Sequence, residues 1–107
     1  MISSVGLQRN DLKIIVSVLQ QYSEITEAYL FGSRAKWNYR TGSDVDIALK
    51  GERLNAEIVS EISYQLNEET PLPYKFDLLN YNSTSSNELK QHIDRVGICF
   101  YPEKNQE

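Results

Sequence analysis

Two kinds of apolar spacing alternate along this chain, and the alternation limits the folds that the chain can adopt. Leu12, Ile15, Val16 and Leu19 recur at the three- and four-residue spacing of an amphipathic helix, whereas residues 28–31 form a short apolar run that ends at a Gly-Ser turn. The first pattern indicates a helix with one buried face, and the second indicates a buried strand. A chain that interleaves both patterns is expected to build an α/β domain in which helices cover a sheet.

The same alternation continues to the end of the chain. The predicted helices cover about residues 9–22, 54–66 and 88–96, with a brief helix at 34–37. The predicted strands cover about residues 28–31, 44–49, 74–81 and 98–101. Pro71 and Pro73 terminate the second long helix, and Ser85-Ser86-Asn87-Glu88 is typical of a capping box in which Ser85 is the cap. We therefore expect a small mixed α/β (α+β) fold with the helices packed on one side of the sheet.

Length and composition favour a single compact domain. The chain has 107 residues, of which 40% are hydrophobic and 24% charged, which is typical of a globular domain and not of a disordered chain. We expect one domain over residues 1–107, with an ordered core at about 7–101 and a frayed C-terminal tail at 102–107. A domain of this size buries a modest fraction of its surface, so an active site is expected to be shallow or to be completed by a partner.

Charge and cysteine content exclude several classes of function. The formal net charge is -4 and the pI is near 5.0, which argues against binding to long nucleic acid, because that needs a basic surface. The single cysteine, Cys99, leaves no disulfide within the chain. The N-terminus lacks a basic segment followed by an apolar one, and no apolar stretch reaches the ~20 residues that span a bilayer. We expect a cytoplasmic protein without membrane contact.

Three acidic residues on predicted strands are the candidate catalytic and metal-binding residues. Asp44 and Asp46 are two positions apart, so on a strand their side chains point to the same face. If the third strand pairs beside the second, Asp77 joins them. Adjacent carboxylates repel unless a cation lies between them, and Mg²⁺ prefers oxygen ligands. Three carboxylates can hold two ions about 3.5 to 4 Å apart, an arrangement used in phosphoryl transfer.

The turn after the first strand supplies candidate nucleotide-binding residues. Gly32 allows the backbone to approach a phosphate closely, and Ser33 can donate a hydrogen bond from its hydroxyl. Arg34, just beyond the turn, can pair with a triphosphate oxygen or with the leaving pyrophosphate. Gly-Ser and Asp-x-Asp are each common in ordinary turns and solvent-facing strands. Together at this spacing they arise by chance in roughly one chain per thousand of this length.

The stretch GSRAKWNYRTGSDVDIAL, followed by a later acid, resembles a known motif. It is similar to that of the DNA polymerase beta nucleotidyltransferase superfamily, which has Gly-Ser, a spacer, Asp-x-Asp on a strand and a third acid on a later strand. Gly32, Ser33, Asp44, Asp46 and Asp77 match that motif position by position. The short length and the GSRA start resemble the minimal nucleotidyltransferases, which are antitoxin partners of small helical HEPN-domain toxins. The resemblance implies a polymerase beta palm-like fold.

The resemblance also implies an activity and roles for these residues. Asp44 and Asp46 would ligate two Mg²⁺ ions, Asp77 would ligate the catalytic ion and help to activate the incoming hydroxyl, and Ser33 would contact the triphosphate. The substrate would be ATP, and AMP would pass to a tyrosine hydroxyl of the HEPN toxin, which makes the chain a protein adenylyltransferase antitoxin. Larger members have a further helical domain that binds base and acceptor, so a partner protein is expected to complete this site.

Other interpretations of the sequence remain open. The chain could neutralise a helical partner by binding alone, or it could adenylylate a small molecule. Trp37 and Tyr39 could stack on a base, dock a partner or cover the core, while His92 is expected to be a packed, partly buried histidine. Lys75 could neutralise an acid or contact a phosphate. The nucleotide preference and a homo- or hetero-oligomeric state are also left open.

Overall fold

The order of helices and strands follows the sequence prediction closely. The computed structural model describes residues 9–32 and 44–102. The helices are α1 (Arg9–Leu19), α2 (Ala56–Glu68) and α3 (Asn87–Val96). The strands are β1 (Glu27–Phe31), β2 (Val45–Lys50), β3 (Phe76–Asn80) and β4 (Ile98–Tyr101), and a short 3-10 turn occupies Tyr81–Ser83. The predicted brief helix at 34–37 and all but the first residue of the predicted tail lie outside the described residues.

The four strands form one mixed sheet in the order β3-β2-β1-β4. β1 pairs antiparallel with β2 and with β4, whereas β2 pairs parallel with β3. Parallel neighbours need a crossover connection, and α2 provides it between β2 and β3. This single crossover places the second and third strands side by side, which was the condition for bringing the candidate acids together.

The main hydrophobic core lies between one face of the sheet and helices α1 and α2. Alternate residues of β1 and β2 point into it, and the apolar stripes of both helices cover them. The fully buried side chains in this layer include Ile15, Leu19, Leu30, Ile47, Leu49, Ile62 and Leu66. Leu49 and Leu66 are among the apolar positions whose spacing predicted β2 and α2, so these positions face the core as expected.

Helix α3 departs from the expectation that the helices pack on one side of the sheet. Ile47 points into the main core, so Ala48 must point to the opposite face, yet Ala48 has no exposed surface. The ring of His92 on α3 lies 6.2 Å from that of Phe31, and the register pairs Phe31 with Asp46 on this second face. The apolar stripe of α3, including the buried Ile93, therefore covers part of the second face. The apolar stripe of a helix predicts which side of the helix is buried, but it does not predict on which face of the sheet the helix packs.

Both later helices begin at side-chain caps. The Asn55 side chain accepts a hydrogen bond from the Ile58 amide at 2.9 Å, and the Ser86 hydroxyl accepts one from the Leu89 amide at 3.2 Å. The cap of α3 is therefore Ser86 and not the predicted Ser85, because the capped amide is that of Leu89 and not that of Glu88. Within residues 9–32 and 44–102, no helix combines the length and apolar character needed to cross a membrane.

Candidate active site

Two of the three candidate acids lie next to each other on neighbouring strands. Asp46 is the second residue of β2, Asp77 is the second residue of β3, and the parallel register pairs them directly. Residues paired in this way point to the same face, with their strands about 4.8 Å apart. Asp44 is exposed and immediately precedes β2. The structure thus places Asp46 and Asp77 together on the face opposite the main core, with Asp44 at the start of the same strand.

The electrostatics of Asp46 show that these carboxylates interact. Burial, followed by the negative charges of Asp77 and then Asp44, together raise the pKa of Asp46 to about 6. Asp46 is half-buried, whereas Asp77 is exposed. The site therefore holds a carboxylate whose negative charge is less stable than that of a free aspartate, and a nearby cation would stabilise it.

Gly32 lies against the Asp46 carboxylate at the end of β1. Its φ of 79° is in the left-handed region, which strongly favours glycine. A Cβ built on Gly32 would clash with Oδ2 of Asp46, so a side chain here would displace the carboxylate. Of the predicted nucleotide-binding residues, Gly32 is thus next to the acids. Ser33 and Arg34 lie outside the described residues, as do Trp37 and Tyr39.

The donor set suits Mg²⁺ bound jointly with a nucleotide. Among residues 9–32 and 44–102, no group of three or more acidic, histidine or cysteine side chains is arranged closely enough to hold a metal ion unaided. Asp46 and Asp77 supply two adjacent carboxylates, and Mg²⁺ is commonly bound by one or two carboxylates together with substrate phosphates and water. Burial and repulsion both raise the Asp46 pKa, and a divalent cation would relieve the repulsion.

Aromatic and basic residues border the acids. His92 is half-buried with its ring edge-on to Phe31, at an interplanar angle of 77°, which agrees with the packed histidine expected from sequence. Lys75, just before β3, is exposed, and its carbonyl accepts a hydrogen bond from the Val45 amide at 2.8 Å. Phe31 and α3 therefore form one wall beside the acids.

Asn67 is a contributor to the site that sequence reasoning missed. Its side-chain amide bonds both backbone groups of Phe76, the residue immediately before Asp77. The sequence offers little signal for it, because Asn67 directly follows the predicted helix at 54–66, where an asparagine is ordinary. In the structure it lies in the last turn of α2, where its side-chain contacts offset its low helix propensity.

Comparison with known proteins agrees with this geometry. The model of the family described as "Polymerase beta, Nucleotidyltransferase" matches residues 13–106. This chain belongs to the polymerase beta nucleotidyltransferase family. The match spans both acid-bearing strands and the Gly32 turn, so the nucleotidyltransferase class predicted from the sequence is confirmed.

Individual members of the family resemble the chain over most of its length. The chain is 27% identical over 98 residues to the "Probable protein adenylyltransferase MntA" of Haemophilus influenzae, which covers 92% of this chain and 85% of the relative. A crystal structure of a toxin–antitoxin complex with AMP-PNP superposes with a TM-score of 0.71 at 25% identity, covering 83% of this chain and 71% of that one.

A second solved structure supports the same fold. It contains a tri-AMPylated Shewanella oneidensis HEPN toxin in complex with its MNT antitoxin, and it matches with a TM-score of 0.67 at 24% identity. The match covers 87% of this chain and 71% of that one. The predicted nucleotidyltransferase fold is therefore confirmed.

Proposed function

We propose that this chain is a protein adenylyltransferase that transfers AMP from ATP to a tyrosine hydroxyl of a small helical HEPN-domain partner. The observation that carries the proposal is the parallel register that pairs Asp46 with Asp77 beside Gly32. The similarity to MntA over 92% of the chain supports a protein acceptor, and the complexes of related antitoxins support a HEPN toxin as that acceptor. Because the reaction consumes ATP, we place it in the cytoplasm.

In the proposed reaction, the acceptor hydroxyl oxygen forms a bond to the α-phosphorus of ATP. The bond between that phosphorus and the oxygen bridging to the β-phosphate breaks, and pyrophosphate leaves. The hydroxyl proton passes to Asp77, which is exposed on the acid-bearing face and can accept it directly. Ser33 and Arg34 bind the triphosphate, and Gly32 gives the phosphates access to the backbone.

Asp44, Asp46 and Asp77 are the residues that would hold two Mg²⁺ ions. When bound, these ions would neutralise the triphosphate and stabilise the charge that develops on the reacting oxygens. Asp46 is suited to this role because burial and its acidic neighbours disfavour its negative charge when no cation is present. Asp44 and Asp77 are exposed, which leaves them accessible to a nucleotide that arrives with its metal.

The openness of the site supports a role for the partner in completing it. Asp77 is exposed and Asp46 is only half-buried, so the described residues do not enclose the acids. Phe31 and α3 provide a wall on one side. We propose that the HEPN protein supplies the opposite wall together with the acceptor tyrosine, which requires a hetero-oligomeric complex.

A transfer assay with ATP labelled at the α-phosphate tests the proposal. The protein, Mg²⁺ and the helical protein encoded beside it should yield a labelled partner, whereas ATP labelled at the γ-phosphate should yield none. Asp77→Asn should abolish transfer. Asp94→Asn is the matched control, since Asp94 is an exposed aspartate on α3 that bonds the Tyr81 hydroxyl at 2.8 Å. If no label is transferred and Asp44→Asn still neutralises the partner, the protein acts by binding alone.

A further inference from the structure

The outer edge of β3 bonds a side chain of α2. In the sheet formed by residues 9–32 and 44–102, β3 is at the end of the strand order and pairs with β2 alone. At this edge the Phe76 amide donates to Oδ1 of Asn67 at 2.8 Å, and Nδ2 of Asn67 donates to the Phe76 carbonyl at 3.1 Å. One amide side chain from α2 thus makes the pair of bonds that a neighbouring strand would otherwise make.

The two bonds between Asn67 and Phe76 lie one residue before Asp77 on β3. The Lys75 carbonyl accepts from the Val45 amide at 2.8 Å, so the backbone of residue 75 faces β2. Backbone groups alternate in direction along a strand, so those of Phe76 face outward and those of Asp77 face β2 again. Asn67 therefore holds the outward-facing residue between two that bond to the strand carrying Asp46.

Asn67 is itself held in one orientation. Its Nδ2 also donates to the Ser63 carbonyl at 3.0 Å and to the Ser63 hydroxyl at 3.2 Å, one turn earlier on α2. Both amide hydrogens and the amide oxygen are thus used, which leaves one assignment of the oxygen and nitrogen that satisfies the network. The side chain is half-buried, and an amide fixed in this way can transmit the position of α2 to β3.

We propose that Asn67 is a positioning residue that keeps the Asp77 carboxylate beside that of Asp46. The proposal rests on the proposed function, because it assigns a role within the same site. The Phe76 side chain is buried at 3% exposure on the core side, so Asp77 points to the acid-bearing face as long as this segment keeps its register. Groups that orient metal ligands are worth about 10- to 100-fold in affinity or activity when removed.

Binding of Mn²⁺ to the protein in the presence of a non-hydrolysable ATP analogue, followed by electron paramagnetic resonance, tests this role without requiring transfer. Asn67→Ala should weaken Mn²⁺ binding by about 10-fold or more and raise the Mg²⁺ concentration that half-saturates AMP transfer. Asn82→Ala is the matched control, because the Asn82 side chain also bonds a backbone amide, that of Gly51 at 3.1 Å, at the other end of β2. The control should lose some stability and keep the affinity for Mn²⁺.

Asn67→Asp covers the case in which the alanine variant does not fold. It keeps the shape and the acceptor for the Phe76 amide, but it cannot donate to the Phe76 carbonyl, so it should also weaken Mn²⁺ binding while the helix content by circular dichroism is unchanged. A folded variant that binds Mn²⁺ within twofold of wild type would overturn the proposal, as would a wild-type protein that binds no Mn²⁺. Weakened Mn²⁺ binding without AMP transfer by the wild type would refute the proposed function alone.

Discussion

The two ends of β2 present opposite electrostatic situations on the same face of the sheet. At one end, Asp46 lies beside Asp77, and its pKa is raised to about 6 by burial and by the charges of Asp77 and Asp44. At the other end, the Lys50 ammonium lies 4.4 Å from the centre of the Tyr81 ring, 4.7 Å from that of Tyr29 and 4.0 Å from Glu27. We refer to these as the acid end and the lysine end.

The difference separates the proposed catalytic site from a cluster of contacts that stabilises the fold. Cation–π contacts and an ion pair stabilise the charge at the lysine end. At the acid end, like charges are held together at a cost to the folded protein. Such conflicts persist at functional sites because a substrate or metal relieves them. Substitutions at the two ends should therefore have opposite effects on activity and on stability.

The largest expected effect is the loss of transfer in Asp46→Asn. Removing this carboxylate should lower the rate of AMP transfer by about 1,000-fold, the upper range for losing one group that stabilises transition-state charge. The measurement is the initial rate with α-labelled ATP and partner at saturating Mg²⁺. Asp94→Asn should keep the wild-type rate, and an Asp46→Asn protein within tenfold of wild type would remove the acid end from the mechanism.

Gly32→Ala should come next, with a loss of transfer of about 100-fold. The new Cβ would displace the Asp46 carboxylate, and misplacing a catalytic group by about 1 Å can cost that much. The left-handed backbone adds about 1 to 2 kcal/mol of destabilisation.

Gly51→Ala is the matched control at the lysine end, where a Cβ would clash with the Glu24 carbonyl. It should lower the free energy of unfolding in urea but keep the transfer rate per folded molecule. Equal losses of that rate in both glycine variants would mean that transfer is sensitive to any disturbance of β2.

The pH dependence of stability should reveal the cost of the acid end. The Asp46 pKa is about 6 in the folded protein and near 3.8 when unfolded, so the folded state binds more protons between these values. The contribution of protonated Asp46 to the stability of the fold is complete below pH 3.8 and is lost as the pH rises through about 6. Because the Asp46 side chain is partly exposed, we expect this loss to be about 1 kcal/mol of unfolding free energy.

Urea unfolding in EDTA at pH 5 and pH 7.5 measures this difference. Asp46→Asn should be the more stable protein at pH 7.5, by about 1 kcal/mol, and should lack this component of the pH dependence. Saturating Mg²⁺ should reduce the loss of stability that the wild type shows between pH 5 and pH 7.5. A less stable Asp46→Asn protein at pH 7.5 would contradict the idea of repulsion between the acids.

The smallest expected effect is that of Lys50→Gln at the lysine end. Loss of the aromatic contacts and of the pair with Glu27 should lower the free energy of unfolding by about 0.5 to 1 kcal/mol. Transfer should be unchanged. A fall in transfer as large as that of Gly32→Ala would show that the two ends are coupled through β2.

Much of the fold and part of the site could be predicted because both depend on local patterns. Alternation along a strand puts Asp44 and Asp46 on one face, and helical periods identified the buried stripes. Asp77 was predicted to join them only if the third strand pairs beside the second, because strand pairing is a tertiary property that local patterns do not determine. The face covered by α3 was unpredictable for the same reason.

The missed features depend on choices that periodicity does not make. Ser85 and Ser86 are adjacent and both can cap a helix, so the prediction was wrong by one residue. Asn67 contacts Phe76, nine positions away, through a side-chain network that leaves no repeat in the sequence. The roles predicted for Ser33 and Arg34 stay predictions.

The closed edge of β3 limits how a client protein can approach. Many proteins recognise peptides by letting them join an exposed sheet edge as an additional strand. At Phe76 the outward backbone groups are already engaged by Asn67, so this route is blocked next to Asp77. Under the proposed function, the acceptor hydroxyl would instead reach the acids from the open face of the sheet, on a side chain that projects from the partner.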